Sequence, residues 1–219
     1  MEQNTQDFIT PDEYRRAKAD HYLEHAQACI GMSRFTAAKE AIRKVAELDP
    51  ESGTHRELDR IVSERLDRLA HHSNGNGQAQ AGRAAQRERA ATVLLVDQDE
   101  RVLTSLSHSL QREGVETVGA STFQEALDVL AAVQPDVIVS EVNFASGPEG
   151  LELFHRIRSN GALSTTSFIF LAARLDHDIL VAGRRFGVDD FIVKPADDDL
   201  VVASIRNCIA RRRSLPGAS

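Results

Sequence analysis

The chain has 219 residues, 42% hydrophobic and 27% charged, with 5% aromatic residues and no Trp; this suits one or two modest domains and excludes a large catalytic barrel. A formal charge of -7 excludes the overall basic field that indiscriminate nucleic-acid binding needs. No apolar run approaches a membrane span, residues 1–7 carry no signal-peptide core, and Cys29 and Cys208 fall in separate helical segments, so a reducing, cytoplasmic setting is expected.

The first segment, 1–70, reads as a small all-α domain. Thr10-Pro11-Asp12-Glu13 supplies a capping hydroxyl, a proline at the first helical position and a glutamate at the third, predicting a helix over 11–32. Phe35, Ala38, Ile42, Val45 and Leu48 form a stripe at three- and four-residue steps, ended by Pro50. A third helix is predicted from Thr54, with Glu57 completing a capping box and Leu58, Ile61, Val62, Leu66 and Leu69 as its apolar face. Residues 32–50 resemble the second helix of a tetratricopeptide repeat, with Phe35, Ala38 and Pro50 at its aromatic, small and terminating positions. At most one repeat is covered, whereas stacked repeats need about three copies; a helical hairpin, a small bundle and a dimerisation element all stay open.

His21 and His25 form an H-x-x-E-H string on one helical face. A zinc peptidase would need a third ligand and a substrate cleft, for which this segment is too small, so surface or half-buried histidines are expected. Residues 71–91, HHSNGNGQAQAGRAAQRERAA, are rich in Gly, Gln, Asn and Ala and read as a flexible linker that lets the two sides behave independently.

From residue 92 the pattern changes. Apolar runs at 92–96, 115–118, 136–140, 167–171 and 190–193 alternate with helical stretches at 100–113, 123–133, 150–159, 176–186 and 197–212. That predicts an α/β, doubly wound five-stranded parallel sheet, whose working residues lie just beyond the carboxyl ends of the strands. VLLVDQDE, PDVIVSE, EGLELF, FIFLAAR and GVDDFIVKPAD occur there in the order of a response regulator receiver domain, which this segment, 92–219, resembles.

The resemblance implies a flavodoxin-like receiver in which an acidic pair and a phosphoacceptor aspartate hold Mg²⁺ for phosphoryl transfer. Asp97 matches the first member of the pair, but Gln98 stands at the second, where a neutral amide weakens a metal site. Glu141 occupies the acceptor position with one extra methylene, and in-line transfer tolerates little misplacement. Ala172 lacks the switch hydroxyl; Lys194, before Pro195, and Phe191, at the aromatic switch position, keep the family identity. The loop 142–149 lacks the usual Met-Pro pair and reads as one residue longer.

The resulting expectation is a degenerate receiver and helical module forming a bacterial signalling adaptor that works through protein contacts without phosphorylation, catalysis, metal, cofactor, nucleic acid or membrane. Its interaction face would include Arg184, Arg185 and Phe191, a homodimer is one possible assembly, and Glu141 is expected to pair with Lys194 rather than mimic a phosphoryl group. Arg211, Arg212 and Arg213 are expected to complement the last helix dipole, with only a short tail following. Two rivals stand beside this reading: a phosphorylatable, Mg²⁺-dependent regulator using Asp97 or Asp99, and a purely structural dimerisation protein.

Overall fold

The computed structural model describes residues 11–73, 90–145, 147, 149–174 and 177–214. The five apolar runs build one parallel sheet from β1 (Thr92–Val96), β2 (Glu116–Ala120), β3 (Val137–Glu141), β4 (Ser167–Ala172) and β5 (Asp190–Val193), in the order β2-β1-β3-β4-β5. Leu94 aligns with Val118 and Ile138, and Ile138 with Phe168, so apolar side chains stand level across four strands. Helices cover both faces, which explains why the strands are nearly continuous apolar runs instead of alternating ones.

Strand alternation divides the core. Val93, Leu95, Val139 and Ile169 meet Leu103, Leu106 and Leu110 of α4 (Glu100–Arg112) and Val201, Ile205 and Cys208 of α8 (Asp198–Ser214). On the other face, Leu94, Val96, Ile138, Phe168 and Phe170 meet Ala126 and Val129 of α5 (Phe123–Ala132) and Leu153, Phe154 and Ile157 of α6 (Glu149–Ser159). Phe154, Phe168 and Phe170 touch one another at centroid separations of 4.8 to 5.9 Å. The last crossover runs through α7 (His177–Arg185). Among the described residues no helix is long and apolar enough to cross a membrane.

Three strands run past their expected carboxyl ends, β4 by the single residue Ala172. β2 runs on through Gly119 to Ala120, because both residues find partners in β1. β3 includes Glu141, which pairs with Leu171, so this carboxylate sits on the sheet itself and not on the following loop.

The helical segment forms α1 (Pro11–Gly31), α2 (Phe35–Leu48) and α3 (Gly53–Ser73). Phe35, Ala38, Ile42 and Val45 are buried as the stripe predicts, and the Asp49 amide closes α2 on the Val45 carbonyl just before Pro50. Thr10 lies outside the described residues. The cap of α3 is Ser52, whose hydroxyl accepts the Thr54 amide, while Glu57 pairs with Arg60 at 2.7 Å instead of closing a box. Ile61, expected on the buried face, is exposed; Val62 and Leu69 carry that face.

The expected independence of the two sides does not hold. Ala26, Cys29, Phe35, Ala38 and Ile42 belong to the same apolar cluster as Val118, Ala120, Ala126 and Val129. Arg65 of α3 pairs with Glu116 of β2 at 2.7 Å, and the α1–α2 turn sits on the β2 edge. The physical reason is that an edge strand presents unpaired backbone groups, one of which, the Gly119 amide, bonds the Ser33 carbonyl, while the apolar faces of the two sides join in one core. Of the expected linker, residues 74–89 lie outside the described residues; 71–73 complete α3, and Ala91 is buried at the foot of the sheet.

Phe168 is fully buried and contacts two other rings. Replacing it with Ala is expected to lower stability by about 3–5 kcal/mol, read as the shift in urea midpoint at unchanged slope.

Candidate functional site

The carboxyl ends of parallel strands share one rim, and the crevice opens where strand order reverses, here between β1 and β3. Asp97 follows β1 and Glu141 ends β3, which places two carboxylates on adjacent strands; Lys194 follows β5 and reaches back across β4. Its ammonium donates to Asp97 Oδ2 at 2.5 Å and to Glu141 Oε2. The outer oxygens are also taken: Asp97 Oδ1 accepts the Asp99 amide and Glu141 Oε1 accepts the Val142 amide, each at 2.9 Å. The side chains of Asp97 and Glu141 are only 3% and 7% exposed and that of Lys194 22%. The expected Glu141–Lys194 pair is therefore present, with Asp97 as a third member.

Charge sets the titration of this cluster. Burial raises the Asp97 carboxyl above its ordinary 3.8, and the neighbouring Glu141 charge adds to that, against the opposing pull of Lys194 and the Asp99 amide. Burial also works against the Lys194 ammonium, but hydrogen bonds to Asp97 and Glu141 outweigh it and hold this group above its ordinary 10.5. Lys194 thus contributes stability below 10.5 that is lost as pH rises through its folded value; the Asp97 contribution is present below 3.8 and lost as pH rises through its own.

The rest of the rim is closed by the loop after β3. Phe144 and Gly147 exchange backbone hydrogen bonds at 2.8 and 3.0 Å, and Gly147 has a φ of 135°, which side-chain-bearing residues rarely adopt. Gln98 turns its amide oxygen to the Ala145 N–H at 3.1 Å, so this side chain ties the loop down. Gly150, in the first turn of α6, lies so close to the strand that a Cβ there would come 2.0 Å from the Glu141 carbonyl oxygen. Ala172, fully buried at the end of β4, belongs to the apolar cluster of Phe168 and Phe170 and accepts the Lys194 amide on its carbonyl at 2.8 Å.

The Mg²⁺ that the family resemblance implies does not fit this donor set. The Gln98 oxygen is committed to Ala145, and the two remaining carboxylates share one ammonium. Asp99 caps α4 through the Arg101 amide and pairs with the Arg101 guanidinium at 2.9 Å, which holds its carboxyl below the usual range.

The remaining expected positions lie elsewhere. Arg184 and Arg185 are exposed at the end of α7. Phe191 is half-buried: its ring stacks on Phe170 at 5.5 Å and lies against Gly183, where a Cβ would come within 2.3 Å of the ring. His21 and His25 are exposed on α1, with His25 Nε2 3.7 Å from Cys29 Sγ. Arg211 and Arg212 close α8 and bind their own domain, at Asp189 and at the Thr165 carbonyl. Sequence reasoning missed Ala145 and Gly150; the one available signal was the glycine just after an unusually long loop.

A five-stranded parallel sheet in this order, with acidic groups and a lysine at its carboxyl rim, defines a receiver-type signalling fold. Residues 93–206 match the response regulator receiver domain profile, and the chain belongs to that family. The transcriptional regulatory protein AfsQ1 of Streptomyces coelicolor is 35% identical over 130 residues, 58% of this chain and 56% of that protein. The response regulator MprA of Mycolicibacterium vanbaalenii is 33% identical over 126 residues, 58% and 53% of the two chains. This chain therefore spans about half the length of the curated relatives it matches. Among solved structures, the chemotaxis response regulator CheY4 of Vibrio cholerae matches 55% of this chain and 99% of its own at 26% identity and a TM-score of 0.51. A response regulator of Chloroflexus aurantiacus matches 56% and 100% at 28% identity, also with a TM-score of 0.51.

Lys194→Met leaves two buried carboxylates facing each other. The expected loss is about 3–5 kcal/mol for a fully buried pair and less at this partly wet lysine, whereas Glu141→Gln removes one of two competing charges and should barely move the denaturation midpoint. For Asp97→Asn, stability relative to the native chain is expected to rise between pH 3.5 and pH 7, because only the native chain carries the ionised, disfavoured Asp97; paired urea titrations across that range read the difference.

Proposed function

We propose that this chain is a phosphorylation-independent signalling adaptor, a degenerate receiver that acts through protein contacts and performs no catalysis. The observation that carries the reading is the closed circuit at the rim: every carboxylate oxygen of Asp97 and Glu141 has a donor, and Lys194 spans both. Phosphoryl transfer needs a free nucleophile, a metal to gather the charge and a donor for the developing oxyanion. Glu141 is displaced by a methylene, Gln98 is neutral and tied to Ala145, and Ala172 brings no hydroxyl. The pocket is thus a structural ion cluster on which the rim is built.

Protein partners fit this chain better than nucleic acid, given its net charge of -7 and the engagement of Arg211 and Arg212 within the domain. The exposed Arg184 and Arg185 at the end of α7 are the basic positions offered to such a partner, in a cytoplasmic setting. The tetratricopeptide-like positions of α2 face the interior, so the hairpin contributes as a scaffold.

Incubation with acetyl phosphate and Mg²⁺ should leave the intact mass unchanged. A stoichiometric gain of one phosphoryl group would overturn the proposal in favour of a metal-dependent regulator with a non-standard acceptor.

A further inference from the structure

The helical hairpin sits against the β2 edge and α5 of the receiver, and its placement carries more than packing. We propose that residues 32–34 form a built-in cap on the open edge of β2, seated through a gap at Gly119, and that this cap withholds the edge from pairing with an extended strand of a second copy of the chain. The proposal goes beyond the adaptor reading and stands whether or not the pocket takes up a phosphoryl group.

Backbone geometry comes first. In β2 the Glu116 amide points inward to the Ala91 carbonyl, so alternation turns the Gly119 amide toward the outside, where it donates to the Ser33 carbonyl at 3.0 Å. Ser33 adopts a positive φ of 57° to present that carbonyl. Its hydroxyl lies 3.0 Å from Thr117 Oγ1, and the Gln111 amide donates to both oxygens at 3.2 and 3.3 Å. The loop thus takes up one outward amide of the strand edge and adds a side-chain contact beside it.

Space comes second. A Cβ at position 119 would fall 2.6 Å from the Met32 carbonyl oxygen and 3.0 Å from Arg34 Cγ, and its three nearest neighbours all belong to the loop. The receiver's own packing therefore leaves position 119 free, and it is the docked loop that requires glycine.

Charge comes third. The Arg34 side chain is 9% exposed and grips Glu125, 10% exposed, with two hydrogen bonds at 3.2 and 3.0 Å, while its third nitrogen reaches Glu100 at 3.1 Å. Glu125 also accepts the Ser121 amide at 2.8 Å, which fixes the carboxylate in place before the arginine arrives. A buried fork of this kind has strict geometric demands, so it selects one docked pose.

The test uses the full chain with Gly119→Val and, from the other side of the contact, Arg34→Ala; Gly161→Ala, where a new Cβ has no neighbour within 4 Å, is the control. Amide exchange should quicken about tenfold or more across α2 in both variants and at the Gly119 amide in Arg34→Ala, with Val139 and Ile169 unchanged. Sedimentation should show Gly119→Val associating with rising concentration beyond the native chain, as a bare edge does. Native exchange in both variants would overturn the cap, and so would loss of protection at Val139 and Ile169 in step with α2, which would make Gly119 a requirement of the receiver itself. Undocked helices without added association would overturn the shielding of the edge.

Discussion

A single ammonium group between two buried carboxylates sets the terms for the whole carboxyl rim. Parallel strands force their ends together, and here β1 and β3 deliver Asp97 and Glu141 to adjacent positions where both cannot be ionised without a counter-charge. Lys194 supplies it from two strands away, which fixes how β5 and its following loop must end. The neighbouring features follow the same constraint. Gln98, with no charge to balance, is released to hold the loop at Ala145, and Gly150 lets α6 start against the Glu141 carbonyl. The carboxyl rim of this receiver is therefore held as one connected knot of charge.

The opposite constraint governs the far edge of the sheet. Strand β2 has one paired side, and a strand left open there is a template for other chains. The helical hairpin answers it with backbone, hydroxyl and guanidinium contacts at once, and its apolar residues extend the core formed beneath α5. A chain with 5% aromatic residues and no Trp gains from that continuity, since neither part has the bulky side chains to build a large core alone.

The sheet was legible because each strand is an uninterrupted apolar run between clear turns, and the pocket was legible because its residues sit directly after those runs. The Lys194 pair followed from the receiver resemblance, which implies that the ends of β3 and β5 meet at one pocket. Other features were hidden for physical reasons. Gly119 read as the end of a strand because glycine weakens one, although a glycine within a strand also marks close backbone approach. Arg34 and Glu125 lie 91 residues apart, and nothing local in either segment signals that they meet. Ser52 displaced Thr54 as the cap of α3 by a shift of two residues, which pattern alone does not resolve. Glu141 read as a loop residue for a similar reason: its pairing with Leu171 is a property of the neighbouring strand.

The long separation between the hairpin and its seat has a temporal side. Ser33 precedes Thr117 by 84 residues, so at common translation speeds the hairpin leaves the ribosome roughly 4–17 s before the strand that receives it. During that interval Phe35 and Ile42 can be covered only within the hairpin, and the Arg34 side chain stays hydrated because Glu125 has not yet emerged. The nascent chain thus carries its docking element ahead of the dock. The β2 edge then meets its cap on the same molecule as soon as it forms, before it can encounter a neighbouring polypeptide on the same message.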